Sequence, residues 1–107
     1  MFALVVRFDC RDEEAVTRFD ELTAEVVEQI TQREPGTLLY ATHSVDGAPL
    51  ARIFFEVYRD RDAFQMHESA DHVQQFHDRK DSLVVSRRVE FLAPGSAKGL
   101  NLIEPVE

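Results

Sequence analysis

The apolar residues of this 107-residue chain keep two different spacings, and the points where the spacing changes divide it into elements. The opening run FALVVRF is short, rich in Val and Phe and closed by the polar DCRDEE, which predicts a strand. From about Asp12 to Gln32, the residues Val16, Phe19, Leu22, Val26, Val27 and Ile30 recur at three- and four-residue steps, the pattern of an amphipathic helix. Asp12, Glu13 and Glu14 suit its positive N-terminal end. The segment REPG stops it, because the residue before Pro35 avoids helical angles and Gly36 permits a turn. TLLYATHS and LARIFFEVY are β-prone runs joined through Asp46-Gly47, a hairpin signal. In the second run Ala51, Ile53, Phe55 and Val57 make a wholly apolar face, expected to meet the helices. Arg52, Phe54, Glu56 and Tyr58 make a mixed face, expected to meet something wetter. RDRDAFQMHESADHVQQFHDRK reads as helix, with Asp60 as N-cap and a stripe of Ala63, Phe64, Met66, Ala70, Val73 and Phe76. Ser69 is a second N-cap residue, which allows two short helices meeting at an angle. LVVSRRVEFLAP is a last strand, ended by Pro94-Gly95.

The order β-α-β-β-α-β is the split-βαβ, ferredoxin-like α+β arrangement: a four-stranded antiparallel sheet with two helices on one face. The length suits one domain, placed over residues 1–93, with residues 94–107 as a partly apolar tail able to form a dimer arm or extra strand. The uncovered sheet face, to which Phe54 and Tyr58 are assigned together with alternate residues of the first strand, would leave an apolar patch on a monomer. A homodimer joined through that face is the expected remedy. Twenty acidic and 12 basic residues give a formal charge of −8, which repels phosphate backbones and anionic headgroups and argues against nucleic acid and membrane surfaces as partners. One cysteine, Cys10, forms no intrachain disulfide, and the N-terminus lacks the charged start and long apolar run of a signal peptide, so the cytoplasm is the expected location. Asp9 and Asp12 beside Cys10 disfavour a reactive thiolate there.

Three segments, EPGTLLY, FFEVYRDRDAF and the pattern of His67 followed by Ser69, His72 and Phe76, resemble the antibiotic biosynthesis monooxygenase family. The resemblance runs from the first strand to VEFLAP. It implies a dimeric α/β barrel of ferredoxin-like subunits, with a pocket in each subunit between the sheet and the helical segment that carries the histidines. Members similar to this chain include cofactor-independent monooxygenases of quinols or phenolic polyketide intermediates, haem-degrading monooxygenases, a sugar-derivative isomerase and proteins without assigned activity. The haem-degrading pattern is an Asn in the first strand, a Trp after the third and a haem-binding His ten residues beyond. Here Arg7 stands in the Asn place, His67 in the Trp place and His77 in the ligand place, so only the last is retained.

His67, His72 and His77 recur every five residues. Metal-binding pairs on a helix are i and i+4, whereas five residues turn the side chain by about 140°, so an unbroken helix cannot bring all three to one ion. A break at Ser69 would alter this. His67 shares the stripe of Ala63, Phe64 and Ala70 and points toward the pocket, where it is either a base that deprotonates a phenol or quinol or a core-rim histidine bonded to a backbone carbonyl. His72 is its candidate second. His77, near a helix C-terminus, reads as structural from the residues alone. Arg7 within an apolar strand needs an anion: Glu56, Glu90 or a substrate oxyanion. Tyr40 and Tyr58 either donate to a quinone oxygen or serve as interface aromatics. Phe64 and Phe76 would line the implied pocket, and His43 is assigned to the surface. With these residues, the resemblance implies oxidation of a planar hydroxyaromatic by dioxygen without metal, flavin or other cofactor, set against a non-catalytic ligand-binding or stress-associated dimer and a haem binder. If His67 and Arg7 lie on opposite sides of the sheet, the constellation built on both of them fails.

Overall fold

The computed structural model describes residues 1–100, and the elements follow in the expected order. They are β1 (Phe2–Cys10), α1 (Glu13–Arg33), β2 (Thr37–Val45), β3 (Ala48–Tyr58), α2 (Arg61–Ser69), α3 (Asp71–Lys80), a 3-10 turn at Asp81–Leu83 and β4 (Val84–Leu92). The strands are antiparallel in the order β2-β3-β1-β4. Caps set the helix starts: Asp60 accepts from the Ala63 amide at 2.8 Å, as the sequence predicts, and Asp12, expected only as an acidic residue of the first turn, caps α1 by accepting from the Ala15 amide at 2.8 Å. Gly47 takes φ 78° in the hairpin, a conformation that costs glycine little. The long helical segment does break, with Ala70 in extended conformation between α2 and α3. Ser69 does not cap α3; its hydroxyl donates back to the Gln65 carbonyl.

The helices α1, α2 and α3 lie on one face of the sheet, and that face is not the one expected for β3. Val6 pairs with Phe54 and Leu4 with Glu56, and these residues join Phe8, Tyr58, Phe19 and Phe76 in the core beneath the helices. The mixed face can be buried because its polar groups find partners inside. Tyr58 donates to Glu56 Oε1 at 2.6 Å, and Arg52 makes a two-pronged pair with Asp20 of α1 at 2.9 and 3.0 Å. Phe54 and Tyr58 are therefore core residues, 1% and 0% exposed, and not part of the open face. The face away from the helices carries Val5, Ile53 and Phe55, each only half covered. Met66, placed on the apolar stripe from its spacing, projects outward and is 71% exposed.

Half of the tail expected as a dimer arm, residues 101–107, lies outside the described residues. Among the described residues, no helix is long and apolar enough to cross a membrane.

Candidate functional site

Glu34, the C-cap of α1, organises the site. His67 Nδ1 lies 2.7 Å from Glu34 Oε1 and His72 Nε2 lies 2.5 Å from Glu34 Oε2, while the Thr37 hydroxyl donates to Oε1 at 2.6 Å. The break at Ala70 makes this convergence possible: α2 and α3 each aim one imidazole at the same carboxylate although the two residues are five apart. Burial pushes the Glu34 carboxyl toward its neutral form, yet the hydrogen bonds from His67, Thr37 and His72 outweigh it and hold the pKa below the usual carboxylate range. An ionised carboxylate only accepts, so the ring nitrogens facing it carry the protons. In a neutral His67 this leaves Nε2 as a free lone pair on the other side of the ring.

That nitrogen faces a cavity of about 140 Å³ between the sheet and the α2–α3 pair. Leu4, Val6 and Phe8 form its floor from β1, Val89 and Phe91 close it from β4, and Phe64 and Phe76 cover it from the helices. Its polar groups are Tyr40, Glu56, His67, Glu68, His77 and Arg87. His67 Nε2 stands 3.9 Å from Glu56 Oε1 and 3.9 Å from Glu68 Oε1. Burial raises the Glu56 pKa, against the opposing hydrogen bond from Tyr58, so its carboxyl takes up a proton more readily than an exposed one. The Tyr40 ring lies 5.4 Å from the His67 ring, and burial, reinforced by Glu56, pushes its hydroxyl pKa well up, leaving it a hydrogen-bond donor. Glu68 is held below the usual carboxylate range, chiefly by His77, whose Nε2 is 4.0 Å away. His77 Nδ1 is buried without a hydrogen-bond partner among the described residues.

The expected site residues separate into groups. His67, Tyr40, Phe64, Phe76 and His77 share the cavity. His72 does not line it and reaches His67 only through Glu34. Tyr58 is fully buried and acts on the cavity by donating to Glu56. Arg7 is the correction. It lies opposite Ile53 and Arg88 on the open face of the sheet, pairs with Asp9 at 3.3 Å and is 41% exposed, so neither Glu56 nor Glu90 is its partner and it does not share a cavity with His67. Strand alternation dictates this, because Leu4, Val6 and Phe8 own the helical face. The cavity's arginine is Arg87, at the exposed edge of β4. No sequence pattern marks Glu34 or Glu68 as site residues, and the sequence offers Glu56 only as a partner for Arg7. A signal for Glu56 existed: a carboxylate flanked by FF and VY in a strand needs an internal donor.

Cys10 is buried, and burial more than the nearby aspartates raises its thiol pKa. His43 is exposed, as expected. Among the described residues no three His, Cys, Asp or Glu side chains are grouped to hold a metal ion. The cavity's volume is below the roughly 300 Å³ at which sites for drug-sized ligands begin.

The sequence profile of the antibiotic biosynthesis monooxygenases matches residues 1–79, a span that includes Glu34, Tyr40, Glu56, His67 and His72. The chain belongs to the antibiotic biosynthesis monooxygenase family. Solved structures carry the same fold. A protein from Caulobacter crescentus, provisionally assigned as an antibiotic biosynthesis monooxygenase, is 17% identical over 89% of this chain and 90% of its own, with a TM-score of 0.83. One from Bacteroides thetaiotaomicron with the same provisional assignment is 19% identical over 87% and 88%, with a TM-score of 0.81. A protein from Shewanella oneidensis is 27% identical over 85% and 87%, with a TM-score of 0.76. Among curated proteins none matches the chain.

Proposed function

We propose that this family member is a cofactor-independent monooxygenase that oxidises a one- or two-ring phenol or quinol with dioxygen in the His67 cavity. The observation that carries the reading is the orientation of His67: Nδ1 is tied to the ionised Glu34, and Nε2 is presented to the cavity between the sheet and the α2–α3 pair. A base so fixed takes the substrate's hydroxyl proton, and the phenolate becomes electron-rich at the ring carbons ortho and para to its oxygen, of which one that carries hydrogen reacts. Transfer of electrons from that carbon to dioxygen and formation of a carbon–oxygen bond give a ring peroxide. Loss of the ring hydrogen as a proton with cleavage of the oxygen–oxygen bond yields the quinone, and the departing hydroxide takes a proton to leave as water. A phenol plus dioxygen thus gives a quinone plus water, and a quinol plus dioxygen a hydroxyquinone plus water, with no external reductant. Glu56, biased by burial toward its acid form, is the proton source for the leaving oxygen. Tyr40 and Arg87 stabilise the developing oxyanion, and the Phe and Leu walls exclude water.

The half-covered Val5, Ile53 and Phe55 favour a homodimer through the open sheet face, the arrangement the family fold suggests. The test of function is oxygen uptake with a panel of hydroquinones, naphthols and naphthohydroquinones. The reading expects uptake above the uncatalysed rate that His67→Ala lowers about 10²-fold or more. Equal uptake by both proteins removes His67 from the role of base.

A further inference from the structure

His67 separates the cavity from a second cleft, of about 180 Å³, on the other side of α2. His67 and His72 form the base of this cleft, and both are already hydrogen-bonded to Glu34. Its wall is shallow and apolar because Ala63 and Ala70 end in methyl groups, and Met66 stands at the lip, 71% exposed. The rim carries Arg33 and Arg59.

The charges do not follow those of the whole chain. The protein is formally −8, yet both charged groups on this rim are cations. Arg33 forms no ion pair among the described residues, and Arg59 has only Asp60, at 3.7 Å with both side chains more than half exposed. A pair of that kind is worth little and is readily exchanged for another anion. Glu34 at the base holds its single negative charge against its three hydrogen-bond donors, so the two rim cations leave the cleft with a net positive charge. An exposed Met beside small side chains offers a flexible apolar surface that an apolar body would cover.

We propose that this cleft is a binding site for small monocarboxylic acids with an apolar body, distinct from the oxidation cavity. The carboxylate sits between Arg33 and Arg59, and the body lies between Met66 and the two alanines, over the imidazoles. The proposal does not depend on the oxidation reading, because it uses the outer side of His67 and residues that reading leaves idle.

Titration of the full chain with hexanoate, followed by amide NMR, tests it, with hexanol and inorganic phosphate as comparison probes. The expected result is saturable shifts at Gly36, Ala63 and Ala70, with hexanol binding about fivefold more weakly and phosphate not competing. The double variant Arg33→Gln/Arg59→Gln weakens hexanoate about tenfold and leaves hexanol unchanged. Met66→Glu weakens both. All three substitutions are on exposed side chains, so folding is retained. Equal affinity for hexanoate and hexanol, competition by phosphate, or shifts confined to Val89 and Phe91 of the other cavity would each overturn the proposal.

Discussion

Removing Glu34 should destabilise the protein far more than removing an ordinary helix-end carboxylate. In Glu34→Ala, Thr37 can turn to solvent, but His67 and His72 are 2% and 9% exposed and each loses the acceptor for a ring N–H. A buried donor left unpaired costs about 1–3 kcal/mol, and relief of the carboxylate's own burial offsets part of the sum, leaving about 2–4 kcal/mol. For a chain of 107 residues the entropy of unfolding converts this to a fall in Tm of about 9–18 °C. Glu34→Gln keeps the shape and one acceptor and loses the charge, so it should fall about halfway between. The effect has a definite pH signature. Because the folded pKa is held below the ordinary value, the stabilisation is complete above the usual carboxylate range and is lost as pH falls through the depressed folded value. Thermal unfolding followed by circular dichroism at about pH 7 and again at about pH 3 measures both. A loss below about 3 °C for Glu34→Ala at neutral pH, or a difference from native that is as large in acid, refutes the reasoning.

Glu56 should behave in the opposite sense: its raised folded pKa means that stability is lost as pH rises through it, so Glu56→Gln should raise Tm near pH 8 and lose that advantage near pH 4. Gly36→Ala should cost about 1–3 kcal/mol by denaturant unfolding, since a Cβ there would meet the Ala63 Cβ at 2.7 Å. Light scattering tests the proposed homodimer: the native chain should give a dimer and Phe55→Asp, on the open face, a folded monomer. A dimer that survives this change would place the interface elsewhere.

Periodicity, together with the turn signals at Pro35-Gly36 and Asp46-Gly47, locates the strands and helical segments of the described residues, because the spacing of Val16, Phe19, Leu22 and Val26 and the alternation in LARIFFEVY are each enforced by one buried face. It misassigns the faces of β3 for a physical reason. Counting apolar residues favours Ile53 and Phe55 as the inner set, whereas the real inner set includes Glu56 and Arg52, whose partners Tyr58 and Asp20 are supplied within the fold. Strand alternation then carries Arg7 to the outside. His67 as the residue facing the pocket is legible, because its stripe is. Glu34 is not: its histidine partners are 33 and 38 residues away, and at a helix end an acidic residue reads as a local feature. The even spacing of His67, His72 and His77 has no common purpose, since two of them meet on Glu34 and the third faces Glu68.

The central claim is that the His67 cavity inserts one oxygen atom from dioxygen into a hydroxyaromatic. Turnover under ¹⁸O₂, with the product's mass read before its carbonyls exchange with water, tests it most directly. The account predicts one labelled oxygen in the quinone, the other in water and no accumulation of hydrogen peroxide. Unlabelled quinone with stoichiometric peroxide would contradict it.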